Sequence, residues 1–166
     1  MKLSRNLSII LLIAGTIAID QISKVIVRAN VVPYKESKII GSYLTLNNVE
    51  NTGAFLGMGS GLNPTIKLIF LLILPVFVLG YLIYYIFKNK QMATYGLIAL
   101  CCIAGGGIAN VFDRIAFGHV TDFLHIDLGG VFKTGIFNLA DLSVTTGLIV
   151  LLIGNFANRD KTKNHP

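Results

Sequence analysis

Residues 136–156 read "IFNLADLSVTTGLIVLLIGNF". The run behind its opening is apolar and about 20 residues long, enough to cross a hydrocarbon core of about 30 Å as a helix. The opening itself is polar. Asn138 and Asp141 stand where such a helix would enter the membrane. An ionised carboxylate at the edge of hydrocarbon is costly, so it needs a partner or a task.

The whole chain shares the character of this stretch. Its 166 residues are 54% hydrophobic and 13% charged, with a mean hydropathy of +0.71. Average soluble domains carry about 25% charged residues, so this chain lacks the polar surface to cover itself in water. The fold class expected is an all-α membrane protein. It has four transmembrane helices, at about 7–27, 64–87, 92–112 and 137–156, with a small extracytoplasmic β-sheet and a second outer loop. The length suits one compact unit over residues 1–166. Lys2 and Arg5 precede the first run as in a signal peptide, but no small-x-small cleavage site follows, and the run is read as an uncleaved anchor. Pro75 predicts a kink in the second helix rather than a break.

The net charge of +6 does not point to nucleic acid, because the basic residues cluster at the ends of apolar runs. Lys2 and Arg5, then Lys88 and Lys90, then Arg159, Lys161 and Lys163 fall on one side of a four-crossing topology. The positive-inside rule places that side, with both termini, in the cytoplasm. The outer segments are then 28–63 and 113–136. In the first, "SKIIGSYLTLNNV" (37–49) is rich in strand formers and predicts one or two short strands. The glycine-rich "NTGAFLGMGSGLNP" (51–64) predicts sharp turns and suits a cover over a site. Cys101 and Cys102 are adjacent within an apolar run and read as small packing residues.

This topology gathers four of the eight acidic residues on the outer face: Asp20, Asp113, Asp122 and Asp141. Asp20 and Lys24 have i, i+4 spacing, which reads as an interfacial ion pair. In "GGGIANVFDR" (105–114) the spacing puts Asn110, Asp113 and Arg114 on one helix face, and Asp113 with Arg114 reads as a structural pair. The three glycines read as a place of tight helix packing. Asn138 and Asp141 repeat the Asn-x-x-Asp spacing of Asn110 and Asp113. In "HVTDFLHID" (119–127), His119 and His125 flank Asp122 and read as loop or interface residues. The HxxxH and HExxH spacings of a zinc site are absent, so no metal or cofactor is expected.

Two carboxylates held close share a proton and titrate as a pair. The charged member can take a proton from water while the other donates one to a carbonyl oxygen or leaving group. Spacing alone leaves open whether Asp113 or Asp122 accompanies Asp141. Intramembrane carboxylates also suit a proton-coupled transporter, although none is predicted at mid-membrane in helices 2 or 3.

Five blocks in order then resemble a known family: "DQISK" (20–24), "NTGAF" (51–55), "GGGIANVFDR" (105–114), "VTDF" (120–123) and "FNLAD" (137–141). The chain is similar over nearly its whole length to the lipoprotein signal peptidases, or signal peptidase II, membrane aspartic peptidases of bacteria. The resemblance implies removal of the signal peptide from diacylglyceryl-modified prolipoproteins, just before the lipidated cysteine. It implies Asp122 and Asp141 as the catalytic pair. Asn51, Gly53, Asn110, Asp113, Arg114 and Asn138 become supporting or substrate-binding residues, and Asp20 and Lys24 structural support. Partners implied are prolipoproteins, membrane lipids and globomycin-type peptide inhibitors, and the inner membrane is the location implied. Nothing demands more than a monomer. The departures from the family pattern are Phe55 one position early, Thr121 where valine is common, and Gly107 where alanine is common.

Overall fold

The computed structural model describes residues 4–54, 57–129 and 132–163, with side chains as far as Ala157. Lys2, Phe55, Leu56 and the side chains of Arg159, Lys161 and Lys163 fall outside the described residues. Four helices among the described residues are long and apolar enough to cross a membrane. They are α1 (Arg5–Asn30), α2 (Pro64–Lys88), α3 (Thr94–Phe117) and α4 (Leu139–Lys163). On α1, Ile9, Asp20, Lys24 and Val27 are buried, while Ile10, Leu11, Ile19, Ile22, Val25 and Ile26 are more than half exposed. One stripe faces protein and the rest is an apolar surface suited to lipid.

Helix α3 sits at the centre and packs on α1, α2 and α4. "GGG" at 105–107 makes this possible. Successive helical residues point about 100° apart, so each glycine faces a different neighbour. A Cβ on Gly105 would lie 2.7 Å from the Thr16 Cβ of α1. One on Gly106 would strike the Ala140 carbonyl oxygen of α4, and one on Gly107 would lie 2.6 Å from Leu79 Cδ2 of α2. Tight packing is therefore what the three glycines provide. Cys101 is fully buried against Ile9, Ile86 and Ala104, as a packing residue should be.

Helix α3 runs past residue 112 to Phe117, and Gly118 in the left-handed region (φ 78°) ends it. Asn110, Asp113 and Arg114 consequently all ride on one helix. Pro75 does not interrupt α2. The ladder before it widens into a π-helical stretch over Leu68–Ile73, where Leu74 N–H donates to the Ile69 carbonyl. Proline offers no N–H to the carbonyl four residues back, so a change of register next to it is a natural accommodation.

A three-stranded antiparallel sheet lies at one end of the helices, in the order β1 (Ser37–Ile40), β2 (Leu44–Asn51), β3 (Val120–Ile126). The first two strands are those expected from the first outer segment. The third lies in a stretch read as loop. Val120, Thr121, Asp122 and Phe123 are all buried, so the two-residue alternation that marks a half-buried strand is missing. Register sets Val49 opposite Asp122 and Asn51 opposite Val120, beyond an irregularity between Leu46 and Val49. Arg28, in the last turn of α1, donates to Thr121 Oγ1 at 2.9 Å and lies 4.5 Å over the Phe117 ring. At the other end, Arg5 donates to the Ile86 and Asn89 carbonyls, both at 2.8 Å, tying the amino end to the α2–α3 link.

Candidate active site

The polar opening of α4 closes on itself. Asn138 Oδ1 accepts the Asp141 N–H at 2.9 Å, and Asp141 Oδ2 accepts the Asn138 N–H at 3.3 Å. This is a reciprocal capping arrangement, with the asparagine just before the helix and the aspartate three residues on. Asp20 Oδ1 accepts the next free donor, the Ala140 N–H, at 2.8 Å. Two of the four N–H groups that a helix start leaves unpaired are thus satisfied by acidic and amide side chains from two elements. Both carboxylates also lie at the positive end of the helix dipole.

The four acids then divide into two kinds. Asp20 and Asp113 each place an oxygen 2.7 Å from Lys24 Nζ, and all three side chains are fully buried. The contact to Asp113 is coulombic, because its Oδ2 has no aligned hydrogen bond. Asp113 Oδ1 accepts from Gln21 Nε2 at 2.9 Å. The expected pairing of Asp113 with Arg114 is not formed. The guanidinium instead donates to the Gly53 carbonyl at 2.8 Å and to the Asn110 carbonyl at 3.3 Å. Lys24 is the closer and more compact cation, and it already sits on the buried face. The Asp20–Lys24 pair is formed as spacing predicts, but it lies inside the protein rather than at an interface. Gln21, unremarked within "DQISK", donates to both buried acids. Its only signal was a polar residue beside Asp20 in an apolar helix.

Asp122 and Asp141 have no cation within 4.0 Å among the described residues. Their partners are amides. Asp122 Oδ1 accepts from Asn138 Nδ2 at 2.6 Å, and Oδ2 accepts from Asn51 Nδ2 at 2.8 Å. Asp141 Oδ1 accepts from Asn110 Nδ2 at 2.8 Å. Asn138 therefore touches both carboxylates, one through its side chain and one through its backbone. Asp122 is 2% exposed. Burial pushes its carboxyl up to about 6, the Asn51 hydrogen bond holds it down, and the charge of Asp141 adds to the rise.

Clefts reach both members of this pair, and a further one of about 380 Å³, lined by Phe132, Phe137 and Leu142 among others, also reaches Asp141. One of about 260 Å³ is lined by Asp122, Asn51, Thr52, Gly57, Ser60 and Ile136 among others. The second, about 430 Å³, runs between α2 and the α3–α4 pair. Leu71, Leu74, Pro75 and Val78 line one wall, and Asn110, Arg114, Val144 and Asp141 the other. Gly53 admits no side chain, since a Cβ there would lie 2.5 Å from the Met58 carbonyl oxygen. Its N–H donates to Asn51 Oδ1 at 2.8 Å, which steadies the asparagine that holds Asp122. Of the residues singled out from sequence, Asn51, Asn110, Asn138, Asp122 and Asp141 form one connected cluster. Asp20, Lys24 and Asp113 form a second behind it, and Arg114 and Gly53 join the 51–60 segment to α3.

Residues 12–157 match the family model for Signal peptidase (SPase) II. The chain belongs to the signal peptidase II family. A lipoprotein signal peptidase of Chlorobium phaeobacteroides is 34% identical over 148 residues, covering 84% of this chain and 90% of that one. The Staphylococcus aureus lipoprotein signal peptidase is 28% identical over 155 residues, covering 93% and 91%. A solved bacterial membrane enzyme superposes with a TM-score of 0.83 at 27% identity, covering 96% of this chain and 93% of its own. A second such structure gives 0.77 at 26% identity, covering 89% and 91%. The match to membrane enzymes agrees with the four-helix, small-sheet fold and with a multi-pass membrane protein.

Proposed function

We propose that this protein is an aspartic endopeptidase of the membrane that removes signal peptides from diacylglyceryl-modified prolipoproteins, cutting before the lipidated cysteine. Family membership supports the substrate class. The observation that carries the mechanism is the contrast among the four acids. Asp20 and Asp113 share the Lys24 ammonium, whereas Asp122 and Asp141 are held by neutral amides and each lines a cleft. A carboxylate without a bound cation is free to exchange a proton. In the working state one carboxyl is ionised and the other protonated. The ionised one takes a proton from a water as that water attacks the scissile carbonyl. The other supplies a proton to the carbonyl oxygen, and the amine leaves after a proton is returned to its nitrogen. No covalent intermediate is needed.

The substrate stays in the bilayer, so it must reach the pair sideways. The cleft between α2 and the α3–α4 pair is apolar along α2 and includes Asp141 in its lining, which suits a signal peptide. Arg114 Nε is buried without a hydrogen-bond partner among the described residues and is a donor for a substrate carbonyl. The 51–60 segment acts as the cover that excludes bulk water. Gly57 has φ +77°, which proline cannot adopt. Gly57→Pro should therefore slow turnover, and unchanged turnover would remove the cover role.

The whole chain acts as one monomeric unit in the bacterial inner membrane, with both termini cytoplasmic and the sheet outside. The link of Arg5 to the Ile86 and Asn89 carbonyls supports this, since it gathers Arg5, Lys88 and Lys90 at the end away from the sheet. Globomycin-type peptides would occupy the same clefts. The deciding experiment is cleavage of a lipidated reporter by the wild type, Asp122→Asn and Asp141→Asn. Both variants should lose turnover by about a hundredfold to ten-thousandfold. Substantial cleavage by either one sinks the assignment of the pair.

A further inference from the structure

Asp20 and Asp113 are not all that Lys24 touches. Its ammonium also lies 2.9 Å from Asn110 Oδ1. An ammonium only donates hydrogen bonds, so the Asn110 atom that faces it has to be the oxygen. The amide nitrogen is thereby turned the other way, where it donates to Asp141 Oδ1 at 2.8 Å. Asn138 Nδ2 adds a longer donor to Asn110 Oδ1 at 3.2 Å.

We propose that Lys24 is a positioning residue for proteolysis that works through Asn110. By holding the carboxamide oxygen, it keeps the amide N–H directed at Asp141. Without it only the longer Asn138 contact at 3.2 Å holds the carboxamide oxygen, and the flipped orientation, which sets oxygen against oxygen at Asp141, becomes easier to reach. The other two amides of the cluster do not depend on a distant side chain. Asn138 Oδ1 is fixed by the Asp141 N–H, and Asn51 Oδ1 by the Gly53 N–H. Only the Asn110 amide takes its direction from a charged side chain on another helix. The buried lysine of α1 thus reaches the reacting carboxylate through one intervening amide, although it lines none of the clefts at Asp122 and Asp141 itself.

This rests on the peptidase reading, and the test keeps the two apart. Lys24→Met alone would strand two buried acids and change the net charge of the cluster, so two variants that keep that charge are used: Lys24→Met/Asp113→Asn and Lys24→Met/Asp20→Asn. Folding is followed by thermal unfolding in detergent, and cleavage by a lipidated reporter peptide. A charge-assisted contact acting on catalysis predicts that kcat falls by about tenfold to a hundredfold. KM should stay within about twofold, because Lys24 is fully buried and does not meet substrate. The same changes are then made in an Asn110→Leu background. There, removing Lys24 should lower kcat by less than about threefold further, since its route is already gone.

Wild-type kcat in both balanced variants would overturn the proposal. So would an equal loss with and without Asn110, which would mean that Lys24 acts on the site by another path. Failure of both balanced variants to fold would overturn it too, by making Lys24 a requirement of helix packing alone. If the wild type itself fails to cut the reporter, the peptidase reading falls instead, whatever Lys24 does.

Discussion

Asn110–Asp113 and Asn138–Asp141 are the same motif read twice, asparagine and aspartate three residues apart. Their settings differ completely. The first lies in the last turns of α3, and its aspartate is neutralised by Lys24 and bound by Gln21. The second opens α4, and its aspartate caps its own helix while meeting only amide donors. In the first pair the asparagine and aspartate diverge in partner: Asn110 reaches across to Asp141, and Asp113 reaches back to α1. Spacing puts two polar groups on one helix face, but it does not say which helix end they occupy or what stands opposite. Those two facts decide whether a carboxylate holds the fold together or stays free to move a proton.

The largest way to test the difference is to remove one carboxylate charge from each pair. Asp141→Asn should cut turnover of a lipidated reporter by about a hundredfold to ten-thousandfold and leave the protein folded. Asp113→Asn should act mainly on stability, by about 1–3 kcal/mol, with cleavage by the folded fraction reduced less than about tenfold. Equal losses of turnover would erase the distinction. Next in size is the cation that separates the pairs. Lys24→Met leaves Asp20 and Asp113 buried without compensation and should destabilise the protein by about 3–5 kcal/mol. Thermal unfolding in detergent measures this, and a change below about 1 kcal/mol would show that water or lipid headgroups already reach the two acids.

The difference between the pairs also marks what could be read in advance. The four helices were legible because long apolar runs have few alternatives in a chain this hydrophobic. The packing role of Gly105, Gly106 and Gly107 was legible from the absence of bulk alone. The position of Asp122 beside the opening of α4 was not, since it sits on β3, whose consecutive buried residues give no strand period. Only the motif resemblance put it with Asp141. The Lys24–Asp113 contact was hidden for another reason. It joins residues far apart in sequence, and the nearer candidate, Arg114, was turned instead toward Gly53. Spacing rules see neighbours on one helix and are blind to the helix opposite.

Acidity sharpens the comparison at smaller scale. Asp122 titrates near 6 instead of near 3.8, first through burial. For an acid with a raised folded value, the native state holds its proton where the unfolded chain has lost it. Stability from this group is therefore greatest below about pH 4, falls as pH rises toward about 6, and is then level. The loss across that window is about 3 kcal/mol. Thermal unfolding of the wild type and Asp122→Asn from pH 4 to pH 7 checks it. The variant should be flatter over this range, and parallel curves would place the titration elsewhere.

The smallest expected effects separate the two asparagines. Asn138→Ala removes the cap of α4, a loss of about 1 kcal/mol of stability, together with the donor to Asp122 Oδ1. Asn110→Ala sits inside α3, where alanine is the better helix former, and Lys24 still keeps its two carboxylates. Its cost should fall on turnover, by about tenfold to a hundredfold, with little change in unfolding temperature. Both variants should slow cleavage, and only Asn138→Ala should also loosen the fold. Equal destabilisation by the two would mean that Asn110 is a structural hinge of the buried lysine cluster, and that the amide facing Asp141 is incidental to it.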